Sequence, residues 1–246
     1  MSSVSLNPKE TSDALIQSSI KKASYLVSER LLLSIMAGVY IALGAQGFMM
    51  AYDNTFVRAV VFPVGLMLIV LVGGELFTGN CLMTFGLMQK HIKLKEYIFS
   101  LLQVLLGNLI GSLAVVAILY YGGIYNNPVL AESIVKVANA KVSLTAAQVL
   151  LKGILCNILV ALGVWLATTS KDTTGKILGC WFPVMLFVFC GYEHSVANMF
   201  FLPLGAVIDH TISITQILHN LIPAIIGNYI GGGLIIPIIY NKVYYK

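Results

Sequence analysis

Long apolar runs separated by short polar stretches make up most of the chain. The apolar segments extend over about 31–51, 58–88, 96–121, 145–168, 177–207 and 215–240. Because a helix needs about 20 apolar residues to cross a bilayer, this pattern predicts six membrane-spanning helices. The second and fifth segments are longer than one crossing needs and contain polar residues, so we expect both of these helices to be interrupted.

The composition supports a membrane protein. The chain is 58% hydrophobic and only 10% charged, with a mean hydropathy of +0.89. Soluble domains carry about a quarter charged residues, so a water-soluble fold of this size is excluded. The first 30 residues are polar, and we expect no cleavable signal peptide before the apolar run that begins at Leu31.

The distribution of basic residues predicts the orientation. With six spans, both termini share a side that holds 11 Lys and Arg, against 3 on the opposite side. The positive-inside rule then predicts a multi-pass protein of the plasma membrane, most simply a bacterial cytoplasmic membrane, with both termini in the cytoplasm. Residues 1–30 are predicted to form a cytoplasmic amphipathic helix that starts at Asn7 and Pro8, with a frayed tail as the alternative. Residues 31–240 form one channel domain, and 241–246 are a cytoplasmic tail.

The two halves of the chain repeat each other. Phe-Pro-Val at 62–64 recurs 120 residues later at 182–184, and the Gly-Asn-x-Ile-Gly pattern at 107–111 recurs at 227–231. We therefore define repeat one as 31–121 and repeat two as 145–240. Three spans per repeat is an odd number, so the halves must cross the membrane in opposite directions. Such inverted repeats place the functional site near the midplane.

Four ionisable residues fall at membrane depth: Glu75, Lys152, Glu193 and His194. A charge at the bilayer centre costs about 2.5–3.5 kcal/mol, so each should line a cavity or be paired. Lys152 should be either paired or hydrated, with Glu193 as a reasonable partner, although the two glutamates could also act only as caps at helix breaks. His194 has no counterpart in repeat one, where Leu76 stands, and this asymmetry favours a role in a pathway over an ordinary core histidine.

The interruptions also bear on the charge of the solute. Each break exposes the N-terminus of the following half-helix, where unpaired N–H groups and the helix dipole favour negative charge. Asn80 and Asn198 follow the two breaks at matching positions. The sequence therefore predicts a pathway for an anion or a polar solute.

Other functions fit the sequence less well. The four cysteines, at 81, 156, 180 and 190, form no C-x-x-C pair, and we interpret them as reduced packing residues. We expect no metal site, no cofactor, no enzymatic activity and no nucleic-acid partner. A neutral-solute channel of the aquaporin kind remains the main alternative, although the paired Asn-Pro-Ala motifs of that family are absent.

Segments 73–80 and 191–199 resemble the two signatures of the formate/nitrite transporter family, and the resemblance covers roughly 15–242. It implies an aquaporin-like all-α fold of six spans with the second and fifth helices broken. It also implies a homopentamer in the lipid bilayer with one pore per protomer. The solutes would be small monovalent anions such as formate, nitrite, hydrosulfide or lactate, with formate as the first choice.

The resemblance also implies roles for single residues. His194 matches the family's central histidine, and Thr78 matches the threonine that can hydrogen-bond it. Asn80 and Asn198 would line the pathway, and Lys152, Glu193 and Glu75 would set its electrostatics. The apolar constrictions on either side of the histidine would be formed by Phe62, Leu66, Leu76, Phe77 and Phe187. The N-terminal helix, about 8–28, would be able to block the pore in response to pH.

Two mechanisms are open at this point. A dry slit opposes a bare anion much more than its neutral acid. His194 could therefore share or donate a proton so that the solute crosses as a neutral species, since imidazole has an unperturbed pKa of about 6.5. Alternatively, neutral His194 donates a hydrogen bond and the anion crosses by electrodiffusion.

Overall fold

The computed structural model describes residues 5–245, and nearly all of them are helical. Residues 1–4 of the predicted N-terminal segment and Lys246 of the predicted tail lie outside the described residues. Apart from the helices, the described chain contains turns, short connections and one isolated antiparallel bridge between Ser5 and Ser170.

The first half begins with a helix that lies before the first apolar segment. Its helices are α1 Pro8–Ser24, α2 Val27–Met50, α3 Thr55–Val61, α4 Val64–Val72, α5 Phe77–Asn80, α6 Thr84–Met88 and α7 Leu94–Tyr121. A 3-10 turn, Cys81–Met83, joins α5 to α6. As predicted, Asn7 caps α1 by accepting a hydrogen bond from the Glu10 backbone N–H, and Pro8 is the first helical residue.

The second half has the same order of elements. Its helices are α8 Pro128–Val142, α9 Ala146–Thr169, α10 Thr173–Phe189, α11 Ser195–Asp209, α12 Ile214–Asn228 and α13 Ile236–Tyr244. A π-helix, Tyr229–Ile235, joins α12 to α13. The connection 122–144, which the sequence pattern treated as a loop, thus contains α8. The Asn-Pro pair that starts α8 at 127–128 lies 120 residues after the pair that starts α1, so α1 and α8 are counterparts.

Within residues 5–245, five helical stretches are long and apolar enough to cross a membrane, by length and composition. They are Val27–Met50, Thr55–Val72, Leu94–Tyr121, Ala146–Thr169 and Ile214–Tyr244. The apolar helices α10 and α11 are shorter. The first long helix begins four residues before the predicted boundary at residue 31, because Leu26 and Glu29 already form its capping interactions.

Glycines allow the long helices of each half to pack closely. A Cβ at Gly111 of α7 would lie only 2.0 Å from the Ile35 carbonyl oxygen of α2, and one at Gly38 would lie 2.2 Å from the Asn108 oxygen. In the second half, a Cβ at Gly231 would meet the Ile154 oxygen at 2.2 Å. Larger residues at these crossings would separate the helices, so this packing fixes the frame in which the interrupted helices sit.

The N-terminal helix α1 packs against the protein. Its Leu15 and Ile16 are buried and belong to a cluster with Phe85 and Trp165. Thr11 contacts Thr169 at the end of α9, whereas α8 leads into the start of α9. The two counterpart helices therefore lie at opposite ends of the same long helix.

Candidate functional site

The first interruption lies between α4 and α5. Gly73 has φ +109°, a conformation that favours glycine, and residues 73–76 are not helical. The buried Asn108 of α7 holds this segment. Its Oδ1 accepts from the Phe77 N–H at 2.9 Å, and its Nδ2 donates to the Glu75 carbonyl at 2.9 Å. These bonds satisfy backbone groups that the break leaves free.

The second interruption lies between α10 and α11 and is held in the same way. Gly191 has φ +65°, and residues 192–194 are not helical. Asn228 accepts from the Ser195 N–H at 2.8 Å and donates to the Glu193 carbonyl at 2.9 Å. Asn228 follows Asn108 by 120 residues, so the repeat seen in the sequence corresponds to a repeated clamp.

His194 and Thr78 meet where the two interruptions come together. His194 Nε2 lies 3.1 Å from Thr78 Oγ1, which is the contact expected from the family resemblance. The other ring nitrogen, Nδ1, accepts from the Ala197 backbone N–H at 3.1 Å. An accepting Nδ1 carries no proton, so the neutral ring has its proton on Nε2. The Nε2–H group therefore donates to Thr78, and the threonine hydroxyl proton is left to point elsewhere.

Buried apolar side chains lie on both sides of the histidine. On one side, the Phe187 ring stacks on His194 at 5.6 Å between centroids and meets the Phe62 ring edge-on at 5.7 Å. On the other side are Leu66 and Leu76, each 2% exposed. The family resemblance implies that these four residues form the two constrictions, and that role stays a prediction.

Phe77 is an exception among the predicted constriction residues. It lines a separate apolar groove with Tyr97 and Tyr229 and reaches neither of the cavities beside the histidine. Leu76 is extended, with φ −103° and ψ 130°, whereas Phe77 begins α5. The two neighbouring side chains therefore point in different directions, and only Leu76 faces the cavity.

A cavity of about 390 Å³ opens on the α8 side of the histidine. Glu193 is 3% exposed in its wall and accepts from Lys141 Nζ at 3.0 Å, from Asn198 Nδ2 at 2.7 Å and from Asn220 Nδ2 at 3.3 Å. The expected pair between Lys152 and Glu193 is wrong, because α8 brings Lys141 over the glutamate instead. Lys152 lines the same cavity and forms no ion pair with any of residues 5–245.

A smaller cavity of about 210 Å³ opens on the α1 side, beyond Leu66 and Leu76. Lys22 of α1 reaches into it, donating to Glu75 Oε1 at 2.7 Å and to Asn80 Oδ1 at 2.8 Å. Asn80 also donates to the second glutamate oxygen at 2.6 Å. One Lys–Glu–Asn set thus lies at each cavity, with Glu75 just behind the wall of the smaller one.

Each cavity also has a second cation nearby. On the α1 side this is Arg30, which is 4% exposed. Its guanidinium donates to Gln103 and to three carbonyl oxygens at the end of α1, one of them that of Lys22 at 3.2 Å. No carboxylate within residues 5–245 forms an ion pair with it. Lys152 lines the cavity on the other side, whereas Arg30 lies behind Lys22, outside the lining of the α1-side cavity.

Sequence reasoning did not identify Lys22 and Lys141 as members of the site. A usable signal was present, since the two lysines are 119 residues apart and stand in helices that begin with the same Asn-Pro pair. Extending repeat one to residue 7 and repeat two to residue 127, at the 120-residue offset of the Asn-Pro pairs, would have aligned Lys141 with Lys21, the neighbour of Lys22. The remaining predicted residues, Asn80 and Asn198, are buried and bound to the glutamates of their own halves.

Metal-ligating side chains are scattered in the described part of the chain. Within residues 5–245, His, Cys, Asp and Glu form no group of three or more that could hold a metal ion. Cys81, Cys156 and Cys180 are buried free thiols, whereas Cys190 is exposed.

The chain matches known transporters and channels over almost its whole length. The family model described as "Formate/nitrite transporter" matches residues 9–241. The chain is 37% identical over 252 residues to an uncharacterized transporter, YrhG, of Bacillus subtilis (strain 168), covering 97% of this chain and 94% of the relative.

Two solved structures share the fold. One, described as an FNT family ion channel, superimposes with a TM-score of 0.90 at 31% identity, covering 95% of this chain and 98% of that one. Another, a pentameric formate channel with formate bound, superimposes with a TM-score of 0.80 at 28% identity, covering 89% of this chain and 98% of that one.

Proposed function

The chain belongs to the formate/nitrite transporter family, and we propose that it is a channel for small monovalent anions, formate first among them, with His194 at the centre of the passage. The observation that carries this proposal is the position of His194. The ring lies at the junction of the two interrupted helices, with an apolar barrier and a charged cavity on either side. The relatives are transporters and channels, which argues against an enzyme.

The proposed membrane arrangement has six crossings in two oppositely directed repeats. Helices α2, α7, α9 and the α12–α13 stretch each cross alone. The second crossing runs from α3 through the break at 73–76 to α6, and the fifth combines α10 and α11. The positive-inside rule places α1 and both termini in the cytoplasm. The α1-side cavity is then the cytoplasmic mouth.

Charge favours anions at both mouths. The ion pairs Lys22–Glu75 and Lys141–Glu193 are neutral as pairs, so Arg30 and Lys152 give each mouth a positive excess. A cleft with low-dielectric walls and one sign of charge concentrates ions of the opposite sign. The N-terminus of α11, a helix of 15 residues, adds partial positive charge behind His194.

The hydrogen bonds of the histidine favour electrodiffusion over proton donation. To give up a full proton from Nε2, the ring must first be an imidazolium with a proton on Nδ1. The Ala197 N–H already points at Nδ1 from 3.1 Å, so that protonation would place two donors against each other. The neutral ring instead donates its Nε2–H to Thr78, which leaves the threonine hydroxyl proton free to bind an anion between the barriers.

Formate and the pentamer come from the relatives. A solved relative of the same fold is a pentameric channel with formate bound, and a hydroxyl donor between two apolar barriers suits a compact anion. We propose a homopentamer in which each protomer has its own passage. Nitrite and hydrosulfide are the competing solutes.

A substrate panel tests the proposal. Purified protein in proteoliposomes should pass formate, nitrite and hydrosulfide faster than acetate and lactate, and it should leave water and glycerol permeability at the level of empty liposomes. Rapid water or glycerol flux without anion flux would instead support a neutral-solute channel and overturn the proposal.

A further inference from the structure

The π-helix at Tyr229–Ile235 distinguishes the two repeats. Its counterpart in repeat one lies within α7, which is an uninterrupted α-helix from Leu94 to Tyr121. A π-helix widens the turn and releases backbone groups, and such bulges are frequent at functional sites. Here the Asn228 carbonyl at the start of the π-helix accepts a 2.6 Å hydrogen bond from Asn157 Nδ2 of α9.

Asn157 occupies space that repeat one does not have. At the matching position, 119 residues earlier, repeat one has Gly38, where even a Cβ would lie 2.2 Å from the Asn108 carbonyl oxygen. In repeat two the chain makes room with glycines, because a Cβ at Gly232 would lie 2.4 Å from Asn157 Nδ2. The asparagine, the π-helix and Gly232 therefore form one structural unit.

The second bond of this amide leaves repeat two. Asn157 Nδ2 also donates, at 3.2 Å, to the carbonyl oxygen of Thr78 in repeat one. Its Oδ1 has no partner within residues 5–245. A flipped amide would set that oxygen against two carbonyl oxygens, so the donor orientation is fixed by the bonds.

We propose that Asn157 is a positioning residue for Thr78, an inference that rests on the proposed function of the Thr78–His194 pair. Asn157 is fully buried and lines neither cavity. Its amide holds the backbone of Thr78 against α9, which keeps the Thr78 hydroxyl at hydrogen-bond distance from His194 Nε2. The repeat that supplies the histidine thus also fixes its threonine partner in the other repeat.

The first experiment is a double-variant comparison of formate flux in proteoliposomes. Asn157→Leu has a similar shape but donates neither bond, and we expect the maximal formate rate to fall roughly tenfold. The half-saturating concentration should stay within about twofold, because Lys22 and Lys141 are untouched. In a Thr78→Val background, Asn157→Leu should lower the rate no further, since it acts through the Thr78 hydroxyl.

A matched pair of glycine variants perturbs the same bond without changing Asn157. Gly232→Ala displaces the amide and should reproduce the loss of rate. Gly233→Ala should keep the wild-type rate, since the nearest atoms to a Cβ there belong to the Tyr229 ring at 3.0 Å, which can shift by a few tenths of an ångström, and to Cys81 Cβ at 3.4 Å. Size-exclusion chromatography in detergent selects the variants that remain folded, and Gly232→Ala serves if Asn157→Leu does not fold.

Two results would overturn the inference. One is an equal fractional loss from Asn157→Leu in the wild-type and Thr78→Val backgrounds. The other is an equal effect of Gly232→Ala and Gly233→Ala. His194→Leu separates this inference from the proposed function. If His194→Leu conducts like the wild type, the proposed function fails. If it is inactive while Asn157→Leu has the wild-type rate, only the positioning role fails.

Discussion

Replacing Lys141 by Met tests the ion pair of the α8-side cavity. The Lys141 and Glu193 side chains are 16% and 4% exposed and lie 3.0 Å apart. At an effective dielectric constant of about 20, their attraction is roughly 5–6 kcal/mol. Removing one partner of a buried pair costs about 3–5 kcal/mol, because the remaining charge stays buried without compensation. Asn198 and Asn220 still donate to the carboxylate, so we expect about 3 kcal/mol.

The assay is thermal unfolding of the purified protein in detergent. For a chain of this length, about 3 kcal/mol corresponds to a midpoint roughly 10 °C lower. Lys152→Met is the matched control, since it removes a lysine from the same cavity that has no ion pair with the described residues. We expect its midpoint to change by less than about 3 °C.

The double variant makes the test decisive. Combining Lys141→Met with Glu193→Gln removes both charges, so most of the lost stability should return. If Lys141→Met is as stable as the wild type, or if the double variant is less stable than Lys141→Met, the reasoning about the buried pair is refuted.

Three further predictions concern the α1 side and the helix packing. Lys22→Met should raise the half-saturating formate concentration for efflux from cells several-fold and leave that for uptake nearly unchanged, because only one mouth loses its lysine. Gly111→Ala should yield no folded protein in size-exclusion chromatography, since its Cβ would lie 2.0 Å from the Ile35 carbonyl oxygen. Gly79→Ala is the control and should be recovered folded, because its Cβ would meet Val164 at an ordinary 3.5 Å. The hydrogen bonds from Lys9 and Tyr245 hold the pKa of Asp13 below its ordinary 3.8, so this carboxylate stays ionised at both pH 7 and pH 5. The amide hydrogen exchange of α1, corrected for the intrinsic rate, should therefore be the same at the two pH values.

The sign of the Asp13 prediction follows from linkage. A carboxyl whose pKa is lower in the folded state stabilises that state above its unfolded pKa and loses the effect only as the pH falls through the folded value. The contact with Tyr245 should therefore weaken below about pH 4. Faster exchange of α1 at pH 5 that Asp13→Asn abolishes would contradict this account. For Lys22→Met, an equal change of the half-saturating formate concentration in uptake and in efflux would contradict the prediction. For Gly111→Ala, recovery of folded protein would do so.

The sequence predicted those features that repeat or that lie deep in apolar segments. His194 was identifiable because it breaks the repeat at a point where Leu76 stands in the other half. Glycines with positive φ mark both interruptions, and the Thr78–His194 contact followed from the family resemblance. The first two inferences need only local chemistry and an approximate membrane depth, whereas the contact needed the resemblance.

The pairing of the charged groups could not be predicted in the same way. Lys141 lies 52 residues before Glu193, and Lys22 lies 53 residues before Glu75, so neither pair has a local signature. Polar residues in 122–144 concealed α8, and Lys152 looked closer to membrane depth than Lys141. The direction of Phe77 depended on the exact residue at which α5 begins, which is the least predictable property of a helix.

The most direct test of the central claim is formate uptake into proteoliposomes measured across pH for wild type, His194→Gln and His194→Leu. A glutamine amide can replace the Nε2–H donor but cannot carry a proton, whereas leucine does neither. We predict that His194→Gln stays within about threefold of wild type at every pH and that His194→Leu loses more than about tenfold. Wild-type uptake by His194→Leu would contradict a passage controlled by this histidine, and equal loss in both variants would show that His194 must carry a proton.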